Sequence, residues 1–146
     1  MILLDTNIIS ELMRSAPEPR VVSWLDAYDE LDVWVSSITV AEIFLGIALL
    51  PAGKRRSSLV EVSDQMFLRD FHDRCLPFDQ SAAMKYAAIV AERKRKGRPI
   101  SVEDAQIAAI AIVGGLTLAT RNTKDFADIE GLQTMNPWRS EERRVG

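Results

Sequence analysis

Met1-Ile2-Leu3-Leu4-Asp5-Thr6-Asn7 decides the fold, because its apolar residues run without a break into a carboxylate. A short continuous apolar run bounded by polar residues predicts a strand buried on both faces, as in the parallel sheets of α/β proteins. Asp5 then stands at the carboxyl end of that strand, the edge at which open α/β sheets bind their ligands. The remaining question is which other polar side chains the chain delivers to that edge.

Moving outward, Asn7 to Arg14 places Ile8, Ile9, Leu12 and Met13 at helical spacing, and Ser15-Ala16-Pro17-Glu18-Pro19 ends that helix. A second helical face runs from Arg20 to Tyr28, followed by the apolar strand Asp32 to Ser36. Thr39-Val40-Ala41-Glu42 reads as a capping box opening a helix that stops near Pro51 and Gly53. A long polar helix is predicted from Lys54 to Arg74, with an apolar stripe of Leu59, Val62, Met66, Phe67 and Phe71. Leu76-Pro77-Phe78 is short enough only for an edge strand. The helix Ala82 to Lys96 ends in cations and Gly97, as a carboxyl terminus should. Ser101-Val102-Glu103-Asp104 repeats the capping pattern before a helix that is apolar on most sides, hence central, and that stops at Gly114-Gly115. Leu116 to Thr120 is a further strand, Asn122 to Phe126 a turn or short helix, and Leu132 to Met135 a last strand. This alternation predicts an α/β/α sandwich, three layers around a mostly parallel sheet.

Length and composition agree. A chain of 146 residues, 47% hydrophobic and 27% charged, suits one globular domain. Residues 1–138 are expected to form it. The charged tail 139–146 has no periodic apolar pattern and is expected to be disordered or foreign to the natural domain. A net charge of −3 and a pI near 5.2 argue against nucleic-acid binding by bulk electrostatics alone, though not against a local basic stripe. Cys75 is the only cysteine, which excludes an internal disulfide. With no charged leader before the strand and no apolar run of about 18 residues, a cytoplasmic protein is expected.

Asp5, Glu42, Asp104 and the pair Asn122 and Asp125 each follow a strand or open the helix after one, so a parallel sheet brings all of them to one edge. Singly, each has a structural explanation: Asp5 as a helix cap, Glu42 and Asp104 as capping-box acids, Asp125 as a turn residue. Together they repel one another, and the cluster is costly unless a divalent cation neutralises it. Oxygen ligands without His or Cys favour Mg²⁺ or Mn²⁺ over Zn²⁺. One such ion, or a pair about 3.5 to 4 Å apart, activates water and stabilises the leaving oxygen of a phosphoryl displacement. Phosphodiester hydrolysis is the chemistry this suggests.

Four ordered blocks carry a family resemblance: the opening stretch with Ser10-Glu11, Ser37-Ile38-Thr39-Val40-Ala41-Glu42-Ile43 with Gly46, Val102 to Ala109, and Leu118 to Phe126. They resemble the motifs of PIN-domain ribonucleases, and the closing Asn136-Pro137-Trp138 narrows the likeness to toxins of the VapC and FitB type. The resemblance covers residues 1 to about 138. It implies an endoribonuclease that needs Mg²⁺ or Mn²⁺, forms homodimers or higher hetero-oligomers with a co-expressed antitoxin, and is held inactive by that partner. The family's acids fall on Asp5, Glu42 and Asp104. Where many members carry a fourth acid, this chain has Asn122, which supplies an amide but no charge, with Asp125 as a helper. Thr6 and Thr120 are expected either beside the ligands or as turn caps.

RNA binding needs cations. Lys54-Arg55-Arg56 and the run Arg93 to Arg98 are clusters, but Arg121, next to the site, is the better phosphate ligand. Trp24, Trp34 and Trp138 are expected in the core or a dimer interface, and His72 on the surface. The same residues bear on other functions. A haloacid-dehalogenase-type phosphatase needs Asp at position 7, and a P-loop enzyme needs a tighter glycine spacing than Gly46 and Gly53 give. A receiver-like Mg²⁺-binding signalling module, or a PIN domain that has lost catalysis and acts by protein binding, are the alternatives that remain.

Overall fold

Ile2, Leu3 and Leu4 form β1 (Ile2–Leu4), the middle strand of a five-stranded sheet. Their side chains alternate across it: Ile2 and Leu4 enter one core and Leu3 the other, which is why the run must be apolar at every position. The computed structural model describes residues 1–139, so the tail expected to be disordered lies, apart from Arg139, outside the described residues.

The strands β2 (Val33–Ser36), β3 (Cys75–Leu76), β4 (Thr117–Ala119) and β5 (Thr134–Met135) complete the order β3-β2-β1-β4-β5, with every pair parallel. The chain winds from β1 outward to β3, then returns to β4 on the other side of β1. That reversal makes β1 and β4 the topological switch point, where a crevice opens beyond the carboxyl ends. Leu4 is in register with Ala119, and the Asp5 N–H donates to the Ala119 carbonyl at 2.9 Å, so Asp5 and Thr120 leave the sheet side by side. The strand order also excludes a receiver-like module, whose order is 2-1-3-4-5.

Helices α1 (Thr6–Leu12), α2 (Pro19–Asp26), α3 (Ser37–Ala48) and α4 (Lys54–Asp64) cover one face, where Ile8, Ile9, Val21, Trp24, Ile43 and Ile47 pack on Ile2 and Leu4. Helices α5 (Gln80–Arg95) and α6 (Val102–Gly114) cover the other, and α6 is buried along Ala105 and Ile107 to Ala111, as a helix apolar on most sides requires. Gly115 ends it at φ +71°. None of the helices among the described residues is long and apolar enough to cross a membrane.

Three expected elements differ; the edge strand lies at Cys75–Leu76, because Pro77 has no N–H with which to continue the ladder. The polar helix from Lys54 stops at Asp64 and widens into a π-turn over Gln65–Asp70, closed by the Phe71 N–H on the Met66 carbonyl at 2.8 Å. The wide turn lets both Phe67 and Phe71 enter the core. The buried Arg74 then donates to the carbonyls of Asp70, Val33 and Glu30, tying the turn to the start of β2. The last strand is shorter than expected because only Thr134 and Met135 pair with β4.

Candidate active site

Asp5, Glu42 and Asp104 line one cavity of about 490 Å³ beyond the carboxyl ends of β1 and β4, together with Thr6, Asn7, Ser10, Arg121, Asn122 and Trp138. Three separate segments therefore deliver carboxylates to the switch point.

Asp5 is 4% exposed and caps α1, its Oδ1 accepting from the Thr6 N–H at 2.8 Å. Its Oδ2 accepts from the Thr120 hydroxyl at 2.8 Å and from the Asn7 amide at 3.3 Å. These donors favour the ionised form, yet the carboxyl is pushed up to about 6: burial outweighs them, and the charges of Asp104 and Glu42 add to the effect. Capping and site membership thus coexist in Asp5. Thr120 is fully buried and also accepts from the Asn122 N–H at 3.1 Å. Asn7 bridges the two strand ends, its Oδ1 accepting from the Arg121 N–H at 3.2 Å while its Nδ2 faces Asp5 and Thr120.

Glu42 does not belong to a capping box, which corrects the reading of Thr39 as a helix cap. Ser36, at the end of β2, caps α3 by accepting from the Thr39 N–H at 3.1 Å, so Thr39 lies inside the helix and Glu42 in its second turn. The helix does not need that carboxylate. Instead the Thr6 hydroxyl donates to Glu42 Oε1 at 2.6 Å. Thr6 has one hydroxyl proton, so the 3.0 Å contact between Thr6 and Thr39 has Thr39 as donor, and Thr39 in turn accepts from Ser36 at 3.4 Å. A buried file of hydroxyls thereby aims Thr6 at Glu42.

Asp104 keeps the capping geometry expected of it: Ser101 Oγ accepts from its N–H at 3.2 Å. Its carboxyl is pushed up chiefly by burial, with Asp125 and Glu42 adding repulsion and the Ser101 hydroxyl opposing the shift. Asn122 lines the cavity and its side chain makes no capping bond to the 3₁₀ turn Thr123–Phe126 that follows. Asp125 is exposed on that turn and does not line the cavity; its part is the charge it adds near Asp104.

Arg121 is at the cavity wall with its guanidinium 4.7 Å above the Trp138 ring. Trp24 is in the core as expected, and Trp34 and Trp138 are partly buried and pack against it, Trp138 also lining the cavity. Among the described residues, the second basic cluster is engaged within the fold except for the exposed Lys94. Arg93 is buried on the carbonyls of Arg98, Asp125 and Ala127, Arg95 and Lys96 pair with Glu92, and Arg98 pairs with Asp128. His72 is exposed.

Sequence reasoning missed Asn7, Ser36, Thr39 and Trp138. Nothing local marks Asn7 as a bridge to β4, since its partners lie more than a hundred residues away. Ser36 carried a usable signal: a hydroxyl residue ending an apolar strand is as good a cap as the threonine after it.

The donor set is oxygen only. Among the described residues no three acidic, His or Cys side chains already surround one point as ligands. An all-oxygen donor set is the kind that Mg²⁺ takes, and the repulsion within the cavity gives such an ion a charge to neutralise.

A family model described as PIN domain matches residues 2–132. Toxin FitB from Neisseria gonorrhoeae is 48% identical over 140 residues, spanning 94% of this chain and 99% of that protein. VapC ribonuclease Y4jK from Sinorhizobium fredii is 42% identical over 138 residues, spanning 94% and 98%. The crystal structure of FitAcB from Neisseria gonorrhoeae superposes with a TM-score of 0.86 at 48% identity, over 95% of this chain and 99% of that one.

Proposed function

The chain belongs to the PIN-domain family, and on that premise we propose that it is a metal-dependent endoribonuclease and the toxin of a bacterial toxin–antitoxin pair. The observation that carries this reading is the convergence of Asp5, Glu42 and Asp104 on one cavity at the switch point, with Asp5 pushed up to about 6 by burial and by the other two. The names of the relatives, a toxin and a ribonuclease, point the same way.

Asp5, Glu42 and Asp104 would hold Mg²⁺, or Mn²⁺ in its place. When bound, the ion supplies a water of lowered pKa as the nucleophile and positive charge for the leaving oxygen. The chain's own groups prepare the site. Thr6, Thr120 and Asn7 hold Asp5 and Glu42 in fixed orientations before substrate arrives. Asn122 offers an uncharged amide to a water or a substrate oxygen where a fourth acid would have added repulsion.

A toxin kept in the cell that makes it needs a protein to hold it inactive. A largely apolar groove of about 820 Å³ runs between α1, α3 and α4 past Met13, Ile43, Ile47 and Leu59, and opens into the acidic cavity at Thr6, Ser10, Arg14 and Glu42. It suits an antitoxin segment whose apolar side chains fill the groove and whose basic side chain meets the carboxylates. We take the active form to be a homodimer, for which the exposed Leu45, Leu49 and Leu68 offer apolar surface. A monomeric mass by light scattering rejects that.

The decisive experiment incubates the purified, antitoxin-free protein with structured RNA, with and without Mg²⁺. Cleavage that stops on chelation, and that Asp104→Asn abolishes while the fold persists, is the expected result. Cleavage indifferent to chelation sinks the metal assignment; no cleavage under any condition favours a domain that acts by protein binding alone.

A further inference from the structure

An acidic cavity repels the polyanion it is meant to cut, so some fixed cation must receive the RNA backbone beside it. Arg14 and Arg121 are the cations lining the cavity. Arg14 is already paired with Glu11 at 2.8 Å, and the Glu11 carboxylate is further occupied by the Glu18 N–H at 2.9 Å. Arg20, nearby, is held by Glu18 at 3.2 Å and by the Trp138 carbonyl at 3.0 Å.

Arg121 is different. Its N–H donates to Asn7, its carbonyl accepts from the Asn136 amide at 3.3 Å, and its guanidinium lies on the Trp138 ring. Trp138 is itself fixed, donating its N–H to Asn136 Oδ1 at 2.9 Å and accepting from Arg20. Among the described residues no hydrogen bond or ion pair engages the guanidinium of Arg121. Its charge reaches the cavity-lining Glu11 only through space, helping the Glu18 N–H and Arg14 to hold that carboxyl low, and those two already bond it. Stacking leaves the planar fork of donors exposed at its edge, the geometry that takes two oxygens of a phosphate at once.

We propose that Arg121 is the binding site for a phosphodiester group of single-stranded RNA next to the scissile bond, and that Trp138 is its positioning residue. The proposal rests on the ribonuclease reading and adds to it where the strand is gripped. A protein carboxylate is the rival occupant, but a partner that must neutralise three acids brings cations to this cavity, not acids.

The test measures single-stranded RNA binding by fluorescence anisotropy in chelator, where cleavage is off, across a salt series. Arg121→Gln is expected to weaken binding about tenfold or more and to lower the slope of log affinity against log salt by about 0.7, one phosphate contact on a single strand. Arg121→Lys should keep the slope and lose affinity, since a point charge replaces the fork. Trp138→Leu should lose affinity and Trp138→Phe regain it, a rescue that a loss of fold does not give. In Mg²⁺, Arg121→Gln should raise KM with little change in kcat. Wild-type affinity and slope in Arg121→Gln overturn the assignment and leave the fork to a protein carboxylate. Absence of RNA binding and cleavage in the wild type overturns the ribonuclease reading itself, and the two failures are told apart by that first measurement.

Discussion

Glu42 and Asp104 reach the same cavity from opposite faces of the sheet, one on α3 and the other on α6, and their helices treat them differently. Asp104 sits in the first turn of α6, three residues after its cap Ser101, where any helix benefits from an acid. Glu42 sits in the second turn of α3, beyond the reach of the cap Ser36, and its partner is a hydroxyl from α1. An acid at a helix start is therefore ambiguous evidence for a site. An acid one turn further in, satisfied by a different segment, is not explained by its own helix.

Asp5 feels both charges, so removing its own charge is the largest test of the arrangement. Asp5→Asn should abolish cleavage. Its effect on stability has a definite sign: the folded carboxyl titrates at about 6 against an ordinary 3.8, so the folded state binds the proton more tightly than the unfolded one. Stability is therefore full below pH 3.8, falls as pH rises from there to about 6, and levels off above, a loss of up to about 3 kcal/mol. In chelator, Asp5→Asn should match the wild type in urea below pH 3.8 and exceed it near pH 8, with Mg²⁺ closing the gap. A mutant less stable at pH 8 breaks the picture of an ion-compensated cluster.

That outcome bears on what was legible beforehand. The parallel sheet and the gathering of acids at one edge could be read from Ile2 to Asp5 and from the recurrence of acids after strands, because strand alternation and winding are local rules repeated. The cap of α3 could not. Ser36 and Thr39 are both good caps, and the choice depends on where β2 ends, which its pairing with β3 decides. The roles of Asn7, Trp138 and Arg93 were invisible for a related reason: each is defined by partners across the fold, which spacing does not encode.

A smaller effect sharpens the difference between the two acids. Thr39→Val keeps the shape of a buried β-branched residue and removes the hydroxyl that directs Thr6 toward Glu42. Thr39 acts on the proposed metal-site carboxylate only through Thr6, so its loss should cost less than the roughly 10- to 100-fold expected for a direct partner of a ligand, an effect measurable by Mn²⁺ titration calorimetry as well as by cleavage. Thr39→Ser should restore most of it. Equal Mn²⁺ affinity in Thr39→Val and wild type would mean that the hydroxyl file is packing alone.

The smallest expected effect separates the helices themselves. Ser101→Ala and Ser36→Ala each remove a cap, worth about 1 kcal/mol of stability, but they differ in what else they disturb. Ser101 also hydrogen-bonds the Asp104 carboxylate, so its loss should leave Asp104 more repelled and raise the Mg²⁺ concentration needed for half-maximal cleavage. Ser36 touches Glu42 only through Thr39 and Thr6, and as a fully buried residue it leaves an unfilled donor site at the Thr39 N–H. Its alanine variant should therefore lose more stability than Ser101→Ala and shift the Mg²⁺ requirement less. Urea unfolding and Mg²⁺ titration of the two variants give four numbers: a larger loss of stability in Ser101→Ala would break the burial argument, and a larger Mg²⁺ shift in Ser36→Ala would show that the hydroxyl file from Ser36 to Thr6 governs the site more strongly than the Ser101 hydroxyl does.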